Sequence, residues 1–280
     1  MSYDDPIDFD EMLNTHFAND HDATNDENMH KLERFVQKTL GSIDPVTHIF
    51  VAAMPKSGST FVCRSLEQLT GFLWYPMTFA YFQNEHDLYL PYMLRAISTN
   101  TVTQQHCRAT DVNLRLLRAF NMRVVVMVRD IHDLVISYFD HLHRQRVRIP
   151  STHLNDQFYE LDTETKVDLI IDMIVPWYIS FYASWYDAEL NGSVPIIWMT
   201  YESLLDDPAA SVRKALNLYD IDGPIEVIQQ VTNDIDPTLT GKNVAKVGRG
   251  HENLTRDQIA RIRNFTRYYP WVDFARVGLQ

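Results

Sequence analysis

The sequence predicts an α/β fold: a central parallel β-sheet flanked by helices. Three observations carry this. HIFVAAM (48–54) and RVVVMV (123–128) are unbroken apolar runs of strand length, as expected for central strands covered on both faces. Strand-like and helix-like segments alternate along the chain. With 280 residues, 45% of them hydrophobic and 12% aromatic, the chain is sufficient for one large core and shows no repeat or linker.

Each element has its own signal. The formal charge is −12, yet nine of the 37 acids fall in residues 1–30, which hold no Lys or Arg, leaving 31–280 at −3. The expected organisation is an acidic amino-terminal arm over 1–30 and a single domain over 31–280. MHKLERFVQKTL (29–40) predicts a short helix. After the first strand, Phe61, Leu66 and Leu69 recur near helical spacing, with Gly71 as a stop. NTVTQQH (100–106) reads as a strand and TDVNLRLLRAF (110–120) as a helix. RVVVMV runs straight into a helix, RDIHDLVISYFDHLHR. A polar loop around 145–162 precedes one long helix over about 164–190, and PIIWMTYE (195–202) is the next strand. Asp207-Pro208 opens a helix to about Tyr219. After a loop from about 235 to 253, Thr255 and Gln258 form a capping box for the last helix.

Composition excludes several classes of function. A nearly neutral body has no broad basic face for nucleic acid. Cys63 and Cys107 give neither a disulfide framework nor a metal spacing, so a reducing, cytoplasmic setting is expected. The amino terminus lacks the basic start and apolar core of a signal peptide. LIIDMIVPWYISFYASWY (169–186) carries Asp172 and Pro176 and reads as a buried helix, not a membrane span. HDATNDENMH and HLH have no convincing ligand spacing, and His141 and His143, two apart on a helix, do not share a face. No metal is expected.

The chemistry concentrates in MPKSGSTF, at the carboxyl end of the first strand, where such sheets bind ligands. Gly58 allows close backbone approach. The amides of Ser57, Gly58, Ser59, Thr60 and Phe61 can point at an anion, helped by the positive end of the following helix and by the Ser57, Ser59 and Thr60 hydroxyls. A phosphate or sulfate fits. The nucleotide-triphosphatase pattern G-x-x-x-x-G-K-[ST] does not, because Lys56 precedes the glycine. From the loop alone, an ordinary strand-to-helix turn is equally consistent.

PKSGSTF resembles the 5′-phosphosulfate loop of sulfotransferases that use 3′-phosphoadenosine 5′-phosphosulfate (PAPS), usually P-K-[ST]-G-[ST]-[ST]-W. Arg129 ends a strand and Ser137 follows eight residues later, similar to that family's motif for the 3′-phosphate. IIWMTYESLLDDPAASVRKAL resembles a third region, in which Tyr201 lies near the adenine. The three occur in the family's order and span 48 to about 219, with likeness continuing to about residue 268. The resemblance implies the P-loop-like sulfotransferase fold, PAPS as donor and 3′-phosphoadenosine 5′-phosphate (PAP) as product. It also implies that Lys56 stabilises charge moving to the leaving phosphate. Phe61 stands where tryptophan is usual. KNVAKVGRGHENLT resembles the R-K-G segment that closes over the nucleotide, without a literal Arg-Lys pair; Lys246, Gly248, Arg249 and Gly250 are its candidates.

In many members the base is a histidine at the end of the strand after the first helix, and His106 falls there. Gln104 stands where the cytosolic branch often has lysine. Glu85 is a rival base, since other branches use a glutamate; it would need a raised pKa in an apolar pocket. FAYFQNEHDLYLP (79–91) would line the acceptor pocket, with Tyr75, Phe79, Tyr81 and Phe82 as walls and Glu85 and Asp87 favouring a polar or cationic acceptor. NEHDLYLP and TQQHCRAT resemble bacterial members, some of which act in natural-product pathways. The expected partner is therefore a small molecule, free or carrier-bound. A P-loop kinase using ATP-Mg²⁺ and a non-catalytic PAP-binding protein are the alternatives.

Overall fold

The computed structural model describes residues 25–81, 86–145, 152, 154–236 and 246–279. Five parallel strands, β1 (His48–Ala53), β2 (Leu73–Trp74), β3 (Thr101–Gln105), β4 (Val124–Val128) and β5 (Ile196–Thr200), form one sheet in the order β2-β3-β1-β4-β5. In chain order the described helices are α1 (Asn25–Leu40), α2 (Ser59–Thr70), α3 (Leu90–Arg95), α4 (Asp111–Ala119), α5 (Ile131–Gln145), α6 (Gln157–Glu160) and α7 (Thr163–Met173). They continue with α8 (Val175–Leu190), α9 (Tyr201–Asp206), α10 (Pro208–Leu218), α11 (Ile225–Asp234), α12 (Arg249–Asn253) and α13 (Arg256–Asn264).

The two unbroken apolar runs are the sheet's centre: every residue of β1 and β4 is buried. Their side chains alternate between faces. Phe50, Ala52, Val124 and Val126 join a core with α5, α7 and α8, while Ile49, Val51, Ala53, Val125 and Met127 join one with α2, α10 and α11. Thr163–Leu190, the one described stretch long and apolar enough to cross a membrane, belongs to the first core, where Tyr178, Phe181, Tyr182 and Trp185 are fully buried.

Boundaries differ from expectation where a local rule intervenes. The expected long helix over 164–190 is two helices that meet at Ile174, because Pro176 cannot donate to the helix before it and starts a new one. The fifth strand stops at Thr200, whose hydroxyl accepts from the Ser203 amide and caps α9, so Tyr201 and Glu202 are helical. The first helix begins at Asn25, four residues before Met29, so the expected arm over 1–30 overlaps it. Part of the expected 235–253 loop is α12. Asp207 and Thr255 cap their helices as the sequence predicts.

At the amino end of the sheet, the Tyr219 hydroxyl accepts from the Phe50 amide at 2.8 Å and donates to the Arg123 carbonyl at 2.6 Å, tying β1 to the start of β4. Tyr219→Phe deprives both buried backbone groups of that partner. It should cost about 1–3 kcal/mol in chemical denaturation, the usual range for such a loss. A variant as stable as the parent would show that other groups satisfy these two.

Candidate active site

The PKSGSTF loop is a tight turn at the carboxyl end of β1, built on two left-handed residues. Lys56 has φ 70° and Gly58 φ 86°. A side-chain carbon on Gly58 would lie 2.9 Å from Leu204 Cδ2 and 3.0 Å from Tyr201 Cδ2, so glycine is required by space as well as by φ. A lysine in this region is strained, and such strain collects where a side chain must be aimed. Ser57 closes the turn: its hydroxyl donates to the Met54 carbonyl at 2.7 Å and its amide at 3.2 Å. The Phe61 amide donates to the Gly58 carbonyl at 3.0 Å. Of the five amides expected to face an anion, those of Ser57 and Phe61 are therefore engaged within the turn. The Gly58, Ser59 and Thr60 amides have no carbonyl partner among the described residues, at the amino end of a 12-residue helix. Ser59 accepts from Gln104 Nε2 at 3.0 Å, which docks β3 on the loop. Phe61 is half-buried against the α2–α10 core.

Arg129 follows β4 and is 5% exposed. Its guanidinium lies 4.0 Å from the centre of the Tyr201 ring. Its Nη atoms make long bonds, 3.3 Å to the Lys56 carbonyl and 3.4 Å to the Lys246 carbonyl, and its buried Nε has no partner among the described residues. The nearest carboxylate is Asp133, at 3.7 Å. A buried cation so weakly bonded is prepared for an anion. Ser137 is buried on α5, eight residues further along the chain.

Asp133, 1% exposed, does a second job. Its carboxylate accepts from the Gly248 amide at 2.9 Å and the Gly250 amide at 2.7 Å. Arg249 adds an ion pair to Asp140 of α5 at 2.8 Å. The late loop thus docks on α5 through its two glycines and Arg249, while the Lys246 ammonium turns away to Glu252, 2.6 Å distant. Gly248 needs its left-handed φ of 85°, and a side chain on Gly250 would run into the His132 backbone. These two glycines are the legible part of the motif. Asp133 was not anticipated; its only sequence signal is an acid four residues after the expected anion-binding arginine.

His106 immediately follows β3. Its Nδ1 donates to the Ala53 carbonyl at 2.7 Å, leaving Nε2 as the free acceptor. Its ring stacks on His86 with centroids 5.0 Å apart, and His86 lies 4.3 Å from the Tyr81 ring. His86 is locked too: Nδ1 accepts from the His106 amide and Nε2 donates to the Tyr81 carbonyl. Burial, with the neighbouring His86 and Lys56, pulls His106 down to about 3. Burial, then Arg144 and Arg129, pulls Lys56 down to about 8, against an opposing pull from Asp140. His141 is lowered to about 4 by burial, Lys56 and Arg144. The result is a cluster of three cations, Lys56, Arg129 and Arg144, beside two neutral imidazoles, His106 and His141. Trp74 meets Tyr81 edge-on, and Phe79, Tyr89 and Tyr92 form an aromatic cluster with Tyr75. Asp87 is exposed, with its carboxylate held by Asn113 Nδ2 at 2.9 Å. Phe82 and Glu85 lie outside the described residues.

Residues 46–237, more than half of the chain, match the family model for the sulfotransferase domain. The chain belongs to this family. It is an enzyme of sulfuryl transfer, and its parallel sheet is the family's P-loop-like fold. Its structure is similar to that of mouse sulfotransferase SULT7A1 complexed with PAP, at 18% identity and TM-score 0.58, covering 86% of this chain and 91% of that one. It is also similar to retinol dehydratase complexed with androsterone and the inactive cofactor PAP, at 11% identity and TM-score 0.56, covering 85% of each chain. A retinol-bound form of retinol dehydratase matches at 12% identity and TM-score 0.51, covering 84% and 85%. A search of curated proteins by sequence found no match.

Two outcomes are expected. Asp133→Ala removes the acceptor of two charge-assisted hydrogen bonds, each worth about 1.5–3 kcal/mol. Hydrogen exchange at the Gly248 and Gly250 amides should accelerate by about tenfold or more, a factor of ten corresponding to about 1.4 kcal/mol; unchanged exchange would mean that this docking is held elsewhere. The second concerns acid. Burial lowers His48 to about 4, as it does His141, and His106 to about 3. Unfolded, these rings protonate near 6.5, so the unfolded chain binds more protons below that pH. Stability is then complete above about pH 6.5 and lost as pH falls towards 4, and the thermal midpoint should be lower at pH 5 than at pH 7.5. A midpoint that holds would mean the rings charge within the fold.

Proposed function

We propose that this sulfotransferase uses PAPS as donor and transfers the sulfuryl group to the hydroxyl of a small, ring-bearing acceptor, with His106 as base. The observation that carries the donor assignment is the buried, under-bonded Arg129 guanidinium beside the amides of Gly58, Ser59 and Thr60, which have no carbonyl partner among the described residues. These are two anion sites of different kind, suited to a nucleotide phosphorylated at both the 3′ and 5′ positions. The PAP in the structural relatives supports the same reading. Lys246, Gly248, Arg249 and Gly250 would close beside the 3′ end, with Ser137 on its floor. Tyr201, already stacked on Arg129, would border the base.

PAPS supplies an activated sulfuryl group on a phosphate leaving group. The chain's residues do the rest. Lys56 holds a positive charge where the leaving oxygen gains negative charge. The helix α2 amides fix the phosphate end, so that attack and departure lie in line. His106 Nε2 accepts the proton from the acceptor hydroxyl as the new S–O bond forms and the old one breaks. A ring lowered to about 3 stays neutral beside Lys56 and is ready to accept. It gains basicity once anionic groups enter the pocket. Glu85 remains the rival base.

For the acceptor, the described surface is more aromatic than acidic. Trp74, Tyr75, Phe79, Tyr81 and Tyr89 offer ring faces, whereas the Asp87 carboxylate is tied to Asn113. A hydroxylated aromatic metabolite, bacterial natural products among them, fits this surface; a cationic group on it could still be met by Asp87. Two free, buried thiols, Cys63 and Cys107, support a cytoplasmic setting.

Calorimetric titration of the full chain with PAP, ADP and ATP-Mg²⁺ tests the donor. PAP should bind far more tightly than the other two; preference for ATP-Mg²⁺ would make the protein a kinase. With p-nitrophenol and tyramine as acceptors, His106→Ala should keep PAP affinity within a few-fold and lose turnover. Arg129→Ala should chiefly weaken PAP, and Lys56→Ala should chiefly lower kcat. Retained turnover in His106→Ala would transfer the base to Glu85. PAP binding without turnover of any acceptor would leave a non-catalytic nucleotide-binding protein.

A further inference from the structure

We propose that Asp130, His132 and His251 form a binding site for a late first-row divalent metal ion, zinc being the natural occupant by ligand type. The ion would clasp α12 onto the turn between β4 and α5. The inference is independent of the donor and the acceptor. It concerns a cluster that takes no part in the chemistry above.

One ligand atom from each of the three side chains lies within 4.8 Å of the others. Asp130 Oδ1 and His132 Nδ1 are 3.3 Å apart. A tetrahedral zinc ion with ligands at about 2.0–2.1 Å separates neighbouring ligand atoms by about 3.3 Å, so this pair already spans one edge of the polyhedron. The His132 and His251 rings face each other, with centroids 4.5 Å apart and tilted by 41°. A modest rotation of His251, which is exposed, completes the set.

A second observation points to a ligand. His132 is fully buried; its Nδ1 faces only the Asp130 carboxylate at 3.3 Å, and its Nε2 has no hydrogen-bond partner among the described residues. A buried ring nitrogen left unsatisfied is costly and rare. A metal bond to one nitrogen removes most of that cost. The surroundings are built to hold the carboxylate still: Asp130 Oδ1 also accepts from the Asp133 amide at 3.1 Å, and the Asp130 amide donates to Glu202 at 3.2 Å. Such outer contacts orient metal ligands. Backbone closes in from two sides, since a side chain on Gly250 would strike His132 and one on Gly278 would strike the Asp130 carboxylate. Solvent reaches the cluster on the His251 side, which provides both an entrance and a water for the fourth position.

Two imidazoles and one carboxylate favour zinc, cobalt, nickel or copper over magnesium and calcium, which prefer all-oxygen shells. The site joins segments separated by more than a hundred residues, and one of them carries the two glycines docked on Asp133. An ion here would therefore hold the late loop in its docked position. It would be structural, not catalytic.

The test uses the full chain, stripped with a chelator and titrated with ZnCl2 by calorimetry, and with CoCl2 by visible absorption. One equivalent should bind, with intense visible cobalt bands of a four-coordinate site, and zinc should slow proteolysis around Arg249. His251→Ala, at an exposed position, should fold normally and weaken zinc binding by tenfold or more, while His143→Ala, elsewhere on the surface, should leave it unchanged. Asp130→Asn should weaken it as well. Absence of stoichiometric zinc binding by the parent, or undiminished binding by His251→Ala, overturns the proposal.

Discussion

The arrangement of this site depends on one buried cation. Arg129 sits at the end of the central strand β4 with 5% of its surface exposed, and no carboxylate makes a close ion pair with it. Burying a charge so incompletely compensated is unfavourable by several kcal/mol. The fold offsets this with a set of weaker partners: the Lys56 and Lys246 carbonyls, the Tyr201 face and the more distant Asp133. Each belongs to a different segment. The arginine therefore gathers the PKSGSTF loop, the start of α9, α5 and the late loop around a single point, and its own Nε has no partner among the described residues.

The same logic sets the protonation of the site. Lys56, Arg129 and Arg144 crowd one region, and their repulsion adds to burial in lowering Lys56 and in keeping His141 neutral. Cations held this close together repel one another. An anion bound among them would relieve the repulsion and favour the charged form of the lysine. His106, like His141, is kept neutral beside the cations, and its tautomer is fixed by Ala53.

Much of this was legible in the sequence because the informative residues are local. HIFVAAM and VVVMV are continuous apolar runs, and only central strands are buried on both faces, so the sheet's core followed from them. PKSGSTF lies within one turn, and its order and spacing with Arg129 survive as linear text. What was not legible is whatever depends on contacts across the chain. Asp133 looks like an ordinary surface acid of a helix until the glycines of the late loop arrive on it. His251 reads as a solvated histidine and His132 as a helix residue, and only the fold brings them together. The Ser57 hydroxyl closes its own loop on the Met54 carbonyl, and sequence cannot say which carbonyl stands within reach.

The docking of the late loop has a consequence for biogenesis. Gly248 and Gly250 meet Asp133 across 115 and 117 residues, and Arg249 meets Asp140 across 109. Contacts this distant in sequence carry a large loop-closure entropy and form late on a folding route. On the ribosome, strands β1 to β5 have all been synthesised before residue 248 exists. The nascent sheet must therefore pass through a stage in which the arginine end of β4 lacks its cover, exposed to solvent and to chaperones. Mutations that weaken the last hundred residues would then act on yield as much as on turnover, by prolonging the life of that uncovered form.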